Sequence, residues 1–110
     1  MKKILGWVLL TLLLSLSELG VASSQEIIIK IQKGRFMPSQ IEIPVDTKVR
    51  FIIENLDDTP EEFESHDLNR EVLIKANSKA SFYIGPLSPG HYQFEGEFSP
   101  ETAQGLVIVQ

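Results

Sequence analysis

Carboxylate side chains are concentrated in one short stretch near the middle of the chain, residues 59–71. Like charges at such close spacing repel one another and raise each other's pKa values unless a positive group lies among them. Carboxylates and imidazoles are also common ligands of metal ions. The stretch is therefore a candidate cation site. Its acidic and imidazole side chains are Glu61, Glu62, Glu64, His66, Asp67 and Glu71.

A second acidic cluster lies near the end of the chain, between two strand-like runs. We predict that the fold brings the two clusters together around a metal ion. If residues 61–66 are extended, Glu62 and Glu64 share a face with His66, whereas Glu61 lies on the opposite face with Phe63. The alternative is that both clusters are solvated loops, because most charge runs lie on the surface. The candidate ligands are Glu61, Glu62, Glu64, His66, Glu95, Glu97 and Glu101.

The first segment of the chain has the pattern of a secretory signal peptide. Lys2 and Lys3 precede an apolar run over residues 4–16, and small residues follow at 21–24. This run is short for a full membrane span, which makes a retained anchor the weaker interpretation. We predict a removed signal peptide, 1–24, and a single exported domain, 25–110.

Composition excludes several functional classes. The chain has 110 residues, a net charge of −5 and no cysteine. Loss of Lys2, Lys3 and Glu18 with the signal peptide makes the domain more acidic still. An acidic protein repels phosphate backbones, so we expect no nucleic-acid binding, and its charge suits cations or basic partner surfaces. Without cysteine there is no disulfide, nucleophilic thiolate or thiolate-bound copper.

The elements that must position these residues are predicted to be short strands. β-Branched residues and apolar–polar alternation recur between turn signals, and no helix period appears after residue 24. Pro44 cannot donate a hydrogen bond to a neighbouring strand, which places its strand at an edge or a bulge. The pattern predicts an all-β sandwich or barrel. The predicted strands are 26–31, 40–45, 48–54, 70–75, 80–84, 91–95 and 105–109.

The order of these elements resembles the cupredoxin fold, a Greek-key β-sandwich. The resemblance lies in Phe36-x-Pro38 before Ile41-x-Ile43, in the strand 49–55, and in Pro89-Gly90-x-Tyr92-x-Phe94 before the strand 105–109. More narrowly, the motifs Thr-Pro-Glu-Glu-Phe-Glu-Ser at 59–65, Gly-Glu-Phe at 96–98 and Pro-Glu-Thr-Ala-Gln-Gly at 100–105 are similar to the EfeO-type cupredoxin-like domain. Such domains accompany bacterial high-affinity iron permeases.

This resemblance implies a metal site built from oxygen ligands. Blue-copper cupredoxins have a histidine ligand where Glu61 falls, and their remaining ligands lie in the loop that residues 95–101 span here. Carboxylates in those places favour hard cations and ferric over ferrous iron. The family usually has a histidine where Ser99 stands, so the second loop offers oxygen only. The implied role is binding of iron and/or copper during iron uptake, in the periplasm of a Gram-negative bacterium. The implied partner is an iron permease or another periplasmic iron-uptake component, with membrane contact only through that partner.

Two other functions remain open on the sequence alone. One is enzymatic, a ferrous iron oxidase that uses copper. The other is a metal-free interaction module whose acidic face docks a basic partner. No nucleophile–base motif or phosphate-cradling loop is visible, which disfavours a hydrolase or a nucleotide-binding protein.

Overall fold

The computed structural model describes residues 25–110, and the predicted signal peptide lies outside the described residues. These residues form only strands, turns and loops, which confirms the all-β prediction, and none of them belongs to a helix that could cross a membrane. The strands are β1 (Gln25–Gln32), β2 (Arg35–Met37), β3 (Gln40–Ile43), β4 (Val49–Asn55), β5 (Glu61–Ser65), β6 (Arg70–Ile74), β7 (Lys79–Ile84), β8 (Gly90–Gly96) and β9 (Gln104–Val109).

The strands form two sheets that face each other. One sheet has the order β2-β1-β4-β7 and the other the order β3-β9-β8-β5-β6. The pairs β1–β4 and β3–β9 are parallel, and the other pairs are antiparallel. Strand β3 lies at the edge of its sheet and ends just before Pro44, as the missing backbone donor of that residue requires.

Apolar side chains at alternate positions form the core between the sheets. In β4 the inward residues are Val49, Phe51 and Ile53, each fully buried. Phe63 lies at the centre of the core: its ring centroid is 4.8 Å from that of Phe94 and 4.9 Å from that of Phe82. The core therefore fixes the inward face of β5, and with it the outward face that carries the acidic residues.

Strand β5 is the element that local pattern predicts least well. Its sequence is Glu-Glu-Phe-Glu-Ser, and glutamate is depleted in strands. It is nevertheless a strand because it pairs with β6 on one side and with β8 on the other. The short strand β2 likewise forms because it pairs with β1. The composition of this segment indicates only a turn and the residues that follow it.

Candidate functional site

Strand β5 divides its three glutamates between the two faces of the sheet. Glu61, Phe63 and Ser65 are buried, whereas Glu62 and Glu64 are half-buried on the outside. This is the alternation expected for an extended segment, and it places Glu61 on the face opposite Glu62 and Glu64. The interior carboxylate and the outer carboxylates therefore have separate environments.

The register of the antiparallel strands aligns acidic residues across the outer face. Glu64 on β5 is directly opposite Glu95 on β8 and Glu71 on β6. Directly opposed residues in antiparallel strands have Cβ atoms about 4.5–5.5 Å apart, and like charges there are destabilising. Glu71 belongs to this row although the candidate ligands predicted from sequence did not include it. Its place in the acidic stretch was visible, but the register that aligns it with Glu64 was not.

Glu97 joins the second acidic cluster to the first. Its backbone N–H donates a hydrogen bond of 2.9 Å to the carbonyl oxygen of Glu62. Its carboxyl group lies near those of Glu62 and Glu64 and is one cause of the raised pKa of each. The fold thus brings together two stretches that are more than 20 residues apart in sequence. We call the resulting surface the acidic face; it consists of Glu62, Glu64, Glu71, Glu95 and Glu97.

Crowding on the acidic face changes the proton affinity of two carboxyl groups. The hydrogen bond with Glu97 is the main cause that raises the pKa of Glu62, and partial burial and neighbouring negative charges add to it. Partial burial is the main cause that raises the pKa of Glu64, followed by its hydrogen bond with Glu97. Because the pKa values of Glu62 and Glu64 are raised, a cation that binds at the acidic face competes with protons for these two carboxylates.

Among residues 25–110, no basic side chain forms an ion pair with the acidic face. In the part of the chain that the structure describes, the one ion pair joins Arg50 to Glu26 on the other sheet. Arg70 lies on β6, beside Glu71, but forms no ion pair with the neighbouring glutamates. Its guanidinium donates instead to the carbonyl oxygens of Asn69 and Tyr83, at 3.2 and 2.8 Å. The physical reason is that β7 is an edge strand, whose outer backbone carbonyl groups have no partner strand. Arg70 on β6 donates to one of them, the carbonyl oxygen of Tyr83.

His66 is exposed in the turn between β5 and β6. It borders a surface depression of about 220 Å³ whose wall includes Glu64 and Glu95, and a second depression of about 340 Å³ whose wall includes Glu71. The neighbouring Asp67 has a structural contact, because its carboxylate accepts a 2.8 Å hydrogen bond from the backbone N–H of Gln93. His66 therefore lies at the rim of the acidic face.

The two remaining candidate ligands, Glu61 and Glu101, do not belong to the acidic face. Glu101 is exposed in the loop between β8 and β9. Glu61 is only 3% exposed, and its Oε1 accepts hydrogen bonds from the backbone N–H groups of Glu62 at 2.9 Å and Phe98 at 2.8 Å. Across residues 25–110, no three His, Cys, Asp or Glu side chains are arranged so that they could hold one metal ion. The metal-ligand assignments therefore stay predictions.

The raised pKa values predict that the metal-free protein gains stability on mild acidification. A carboxyl group whose folded-state pKa is raised contributes stability that is fully present below its usual value of 4.5 and is lost as the pH rises through the folded-state pKa. We expect the melting temperature of the chelator-treated protein to rise as the pH is lowered from 7 to 5. The gain should be smaller in Glu97→Gln, which lacks the shared carboxyl group. Glu101→Gln is the matched control. An equal rise in melting temperature in the wild type, Glu97→Gln and Glu101→Gln would contradict the conclusion that crowding on the acidic face raises the pKa values.

The two sheets and the loops that join them define a single-domain β-sandwich with an acidic site at one end of one sheet. The chain belongs to the cupredoxin-like domain family, whose model matches residues 3–109. An uncharacterised protein of Rickettsia prowazekii (strain Madrid E) is 46% identical over 84 residues, which cover 76% of this chain and 67% of the relative.

Two solved structures of copper proteins have the same fold. The metal-binding domain of the Cu(I)-exporting P-type ATPase CopA of Streptococcus pneumoniae D39, with Cu(I), aligns with a TM-score of 0.71 at 14% identity, over 83% of this chain and 91% of that one. Auracyanin A, a blue copper protein of Chloroflexus aurantiacus, aligns with a TM-score of 0.69 at 10% identity, over 80% and 100%. At these identities the alignments establish the cupredoxin-like fold.

The residues present do not fit a copper centre of the blue type. The whole chain lacks cysteine, so no thiolate is available. The carboxylate of Glu61 is already bonded to two backbone N–H groups. The adjoining loop positions are Gly96 and Ala103: a Cβ atom on Gly96 would lie 2.6 Å from Oε2 of Glu61 and 2.7 Å from the Cβ of Ala103. Protein atoms therefore close this interior position.

Proposed function

We propose that this protein is a periplasmic cupredoxin-like protein that binds iron at its acidic face during iron uptake. The observation that carries the proposal is the clustering of Glu97 with Glu62 and Glu64, with no ion pair to a basic residue of the range 25–110. Carboxylate oxygens prefer hard cations, and ferric iron is harder than ferrous or cuprous ions. A bound cation would relieve the repulsion among these crowded carboxylates.

The site is open, which suits transfer of an ion rather than permanent storage. Glu62 and Glu64 are half-buried, and Glu97 is exposed. A hard cation held by one or two carboxylates keeps several of its water ligands. Such a site needs no closed cage of three or more protein ligands. His66 at the rim offers a further donor when its imidazole is neutral.

The proposed setting is export beside an iron permease. It is supported by the signal-peptide pattern of residues 1–24 and by the resemblance of the acidic motifs at 59–65 and 96–98 to domains that accompany such permeases. Contact with the membrane is through that partner. The copper bound by the structural neighbours does not transfer to the interior of this chain, because its donor set differs.

A second candidate function is docking of a basic protein surface without any metal. The observation that favours it is the same uncompensated charge, together with the exposed side chains of Leu73 and Phe98, which are 52% and 54% exposed. Leu73 is directly opposite Glu62 on the neighbouring strand. Patches that combine apolar and charged groups are typical of protein interfaces.

Titration of the chelator-treated protein with metal ions separates the two functions. We expect calorimetry to show about one bound ferric ion, with weaker binding of ferrous, manganous and cupric ions and least of calcium. Binding to the folded state must raise the melting temperature. No heat and no thermal shift with any of these ions would contradict the proposal and leave the docking function. Catalytic disappearance of ferrous ion under oxygen with added copper would show the oxidase activity instead.

A further inference from the structure

We infer that Glu61 is a positioning residue whose buried carboxylate ties the β8–β9 loop to strand β5 and so holds Glu97 against Glu62 and Glu64. This inference deepens the proposed function and rests on it only for its cation-binding readout. It assigns to Glu61 a role different from that of a metal ligand.

The hydrogen bonds of Glu61 join two separate segments of the chain. Its Oε1 accepts from the N–H of Glu62 on its own strand and from the N–H of Phe98 in the β8–β9 loop, 37 residues away. Phe98 directly follows Glu97, whose own N–H donates to the carbonyl oxygen of Glu62. Two successive backbone amides of the loop, those of Glu97 and Phe98, are therefore fixed to β5, and only the second bond depends on a side chain.

The loop is built around the Glu61 carboxylate. Gly96 leaves room for it, since any Cβ atom at that position would lie 2.6 Å from Oε2. Ala103 closes the other side, and its backbone carbonyl accepts a 2.8 Å hydrogen bond from the N–H of Gly96. Ala103 is fully buried and Glu61 is 3% exposed, and the hydrogen bonds of the Glu61 carboxylate are partly shielded from water.

Loss of this carboxylate should therefore move Glu97 without directly removing any group of the acidic face. The N–H of Phe98 would lose its acceptor inside the protein, and this partly buried donor would need another protein group or water as its partner. The loop would then shift to find another partner or water. Because Glu97 is adjacent to Phe98 in the chain, its carboxyl group would leave Glu62 and Glu64.

The test compares Glu61→Ala with Asp57→Ala. Asp57 is a matched control, because its carboxylate also accepts two backbone hydrogen bonds, from Lys33 and Gly34, but does not contact Glu97. We expect both variants to be less stable than the wild type. Only Glu61→Ala should speed hydrogen exchange at the Phe98 amide and weaken ferric binding, by about tenfold. Glu61→Gln keeps one acceptor oxygen and should recover most of both properties.

Three outcomes would overturn the inference. Exchange at Phe98 in Glu61→Ala could equal that of the wild type. Asp57→Ala could weaken ferric binding as much as Glu61→Ala does. Glu61→Gln could abolish binding that Glu62→Gln and Glu97→Gln leave intact, which would make Glu61 itself the ligand. If Glu61→Ala does not fold, Gly96→Ala takes its place, because the added methyl group displaces the same carboxylate. Absence of ferric binding in the wild type contradicts the proposed function only, since the exchange measurement still tests the positioning role.

Discussion

Replacement of Glu62 and Glu97 together by glutamine should abolish the rise in melting temperature that ferric ion produces in the wild type. Glu62 lies near the start of β5, and Glu97 directly follows β8 and contacts Glu62. The double change therefore removes a charged oxygen donor from each acidic stretch. An ion present at a hundred times its Kd stabilises the folded state by about 2.7 kcal/mol. For a domain of this size, that corresponds to a shift on the order of 10–20 °C, at about 4–8 °C per kcal/mol.

The control for this experiment has the same change in charge at a distance. Glu42 and Glu101 are exposed, and neither belongs to the acidic face. The double variant Glu42→Gln/Glu101→Gln should keep the full metal-dependent shift. The metal-free Glu62→Gln/Glu97→Gln protein should melt at or above the wild-type temperature near pH 7, because the change relieves repulsion. A metal-dependent shift that survives in Glu62→Gln/Glu97→Gln would disprove the proposed site.

Phe63→Ala should cost about 3–5 kcal/mol of unfolding free energy, the range for truncation of a buried phenylalanine. Phe63 is fully buried and packs against Phe36, Phe51, Phe82 and Phe94. The loss is a large part of the roughly 5–15 kcal/mol that stabilises an ordinary domain. Chemical denaturation followed by circular dichroism measures this loss of unfolding free energy. Circular dichroism needs no tryptophan, and the only tryptophan, Trp7, lies in the predicted signal peptide.

Phe98→Ala is the matched control, because the same side chain is 54% exposed in the β8–β9 loop. We expect it to change the unfolding free energy by less than about 0.5 kcal/mol, as is usual for surface positions. Phe63 also lies between Glu62 and Glu64 in β5, so its anchoring in the core keeps both glutamates on the outer face. Equal losses in Phe63→Ala and Phe98→Ala would mean that Phe63 is not the centre of the core.

The strand pattern and the fold class could be read from the chain because they depend on local chemistry. Alternation in 48–54 places Val49, Phe51 and Ile53 on one face of any strand they form, and the structure buries all three. Pro44 restricts its strand to an edge because it lacks an N–H group, and β3 is an edge strand. These features require no knowledge of distant residues.

The acidic site required the tertiary structure because each of its contacts joins segments far apart in sequence. Composition showed two acidic stretches, but only the pairing of β5 with β6 and β8 aligns Glu64 with Glu71 and Glu95. The acidic sequence of β5 does not favour a strand, and cross-strand pairing overrides that preference.

What the sequence by itself determined is the identity of the chemical groups: oxygen donors in two acidic stretches, no thiolate, and a net negative charge. Only the tertiary structure decided their roles. It turned Glu61 inward to bind backbone amides, kept Glu62 and Glu64 outside with Glu97, and directed Arg70 to a strand edge. The physical reason is that the direction of a side chain depends on strand register and on buried hydrogen-bond donors, which must find acceptors wherever the fold places them.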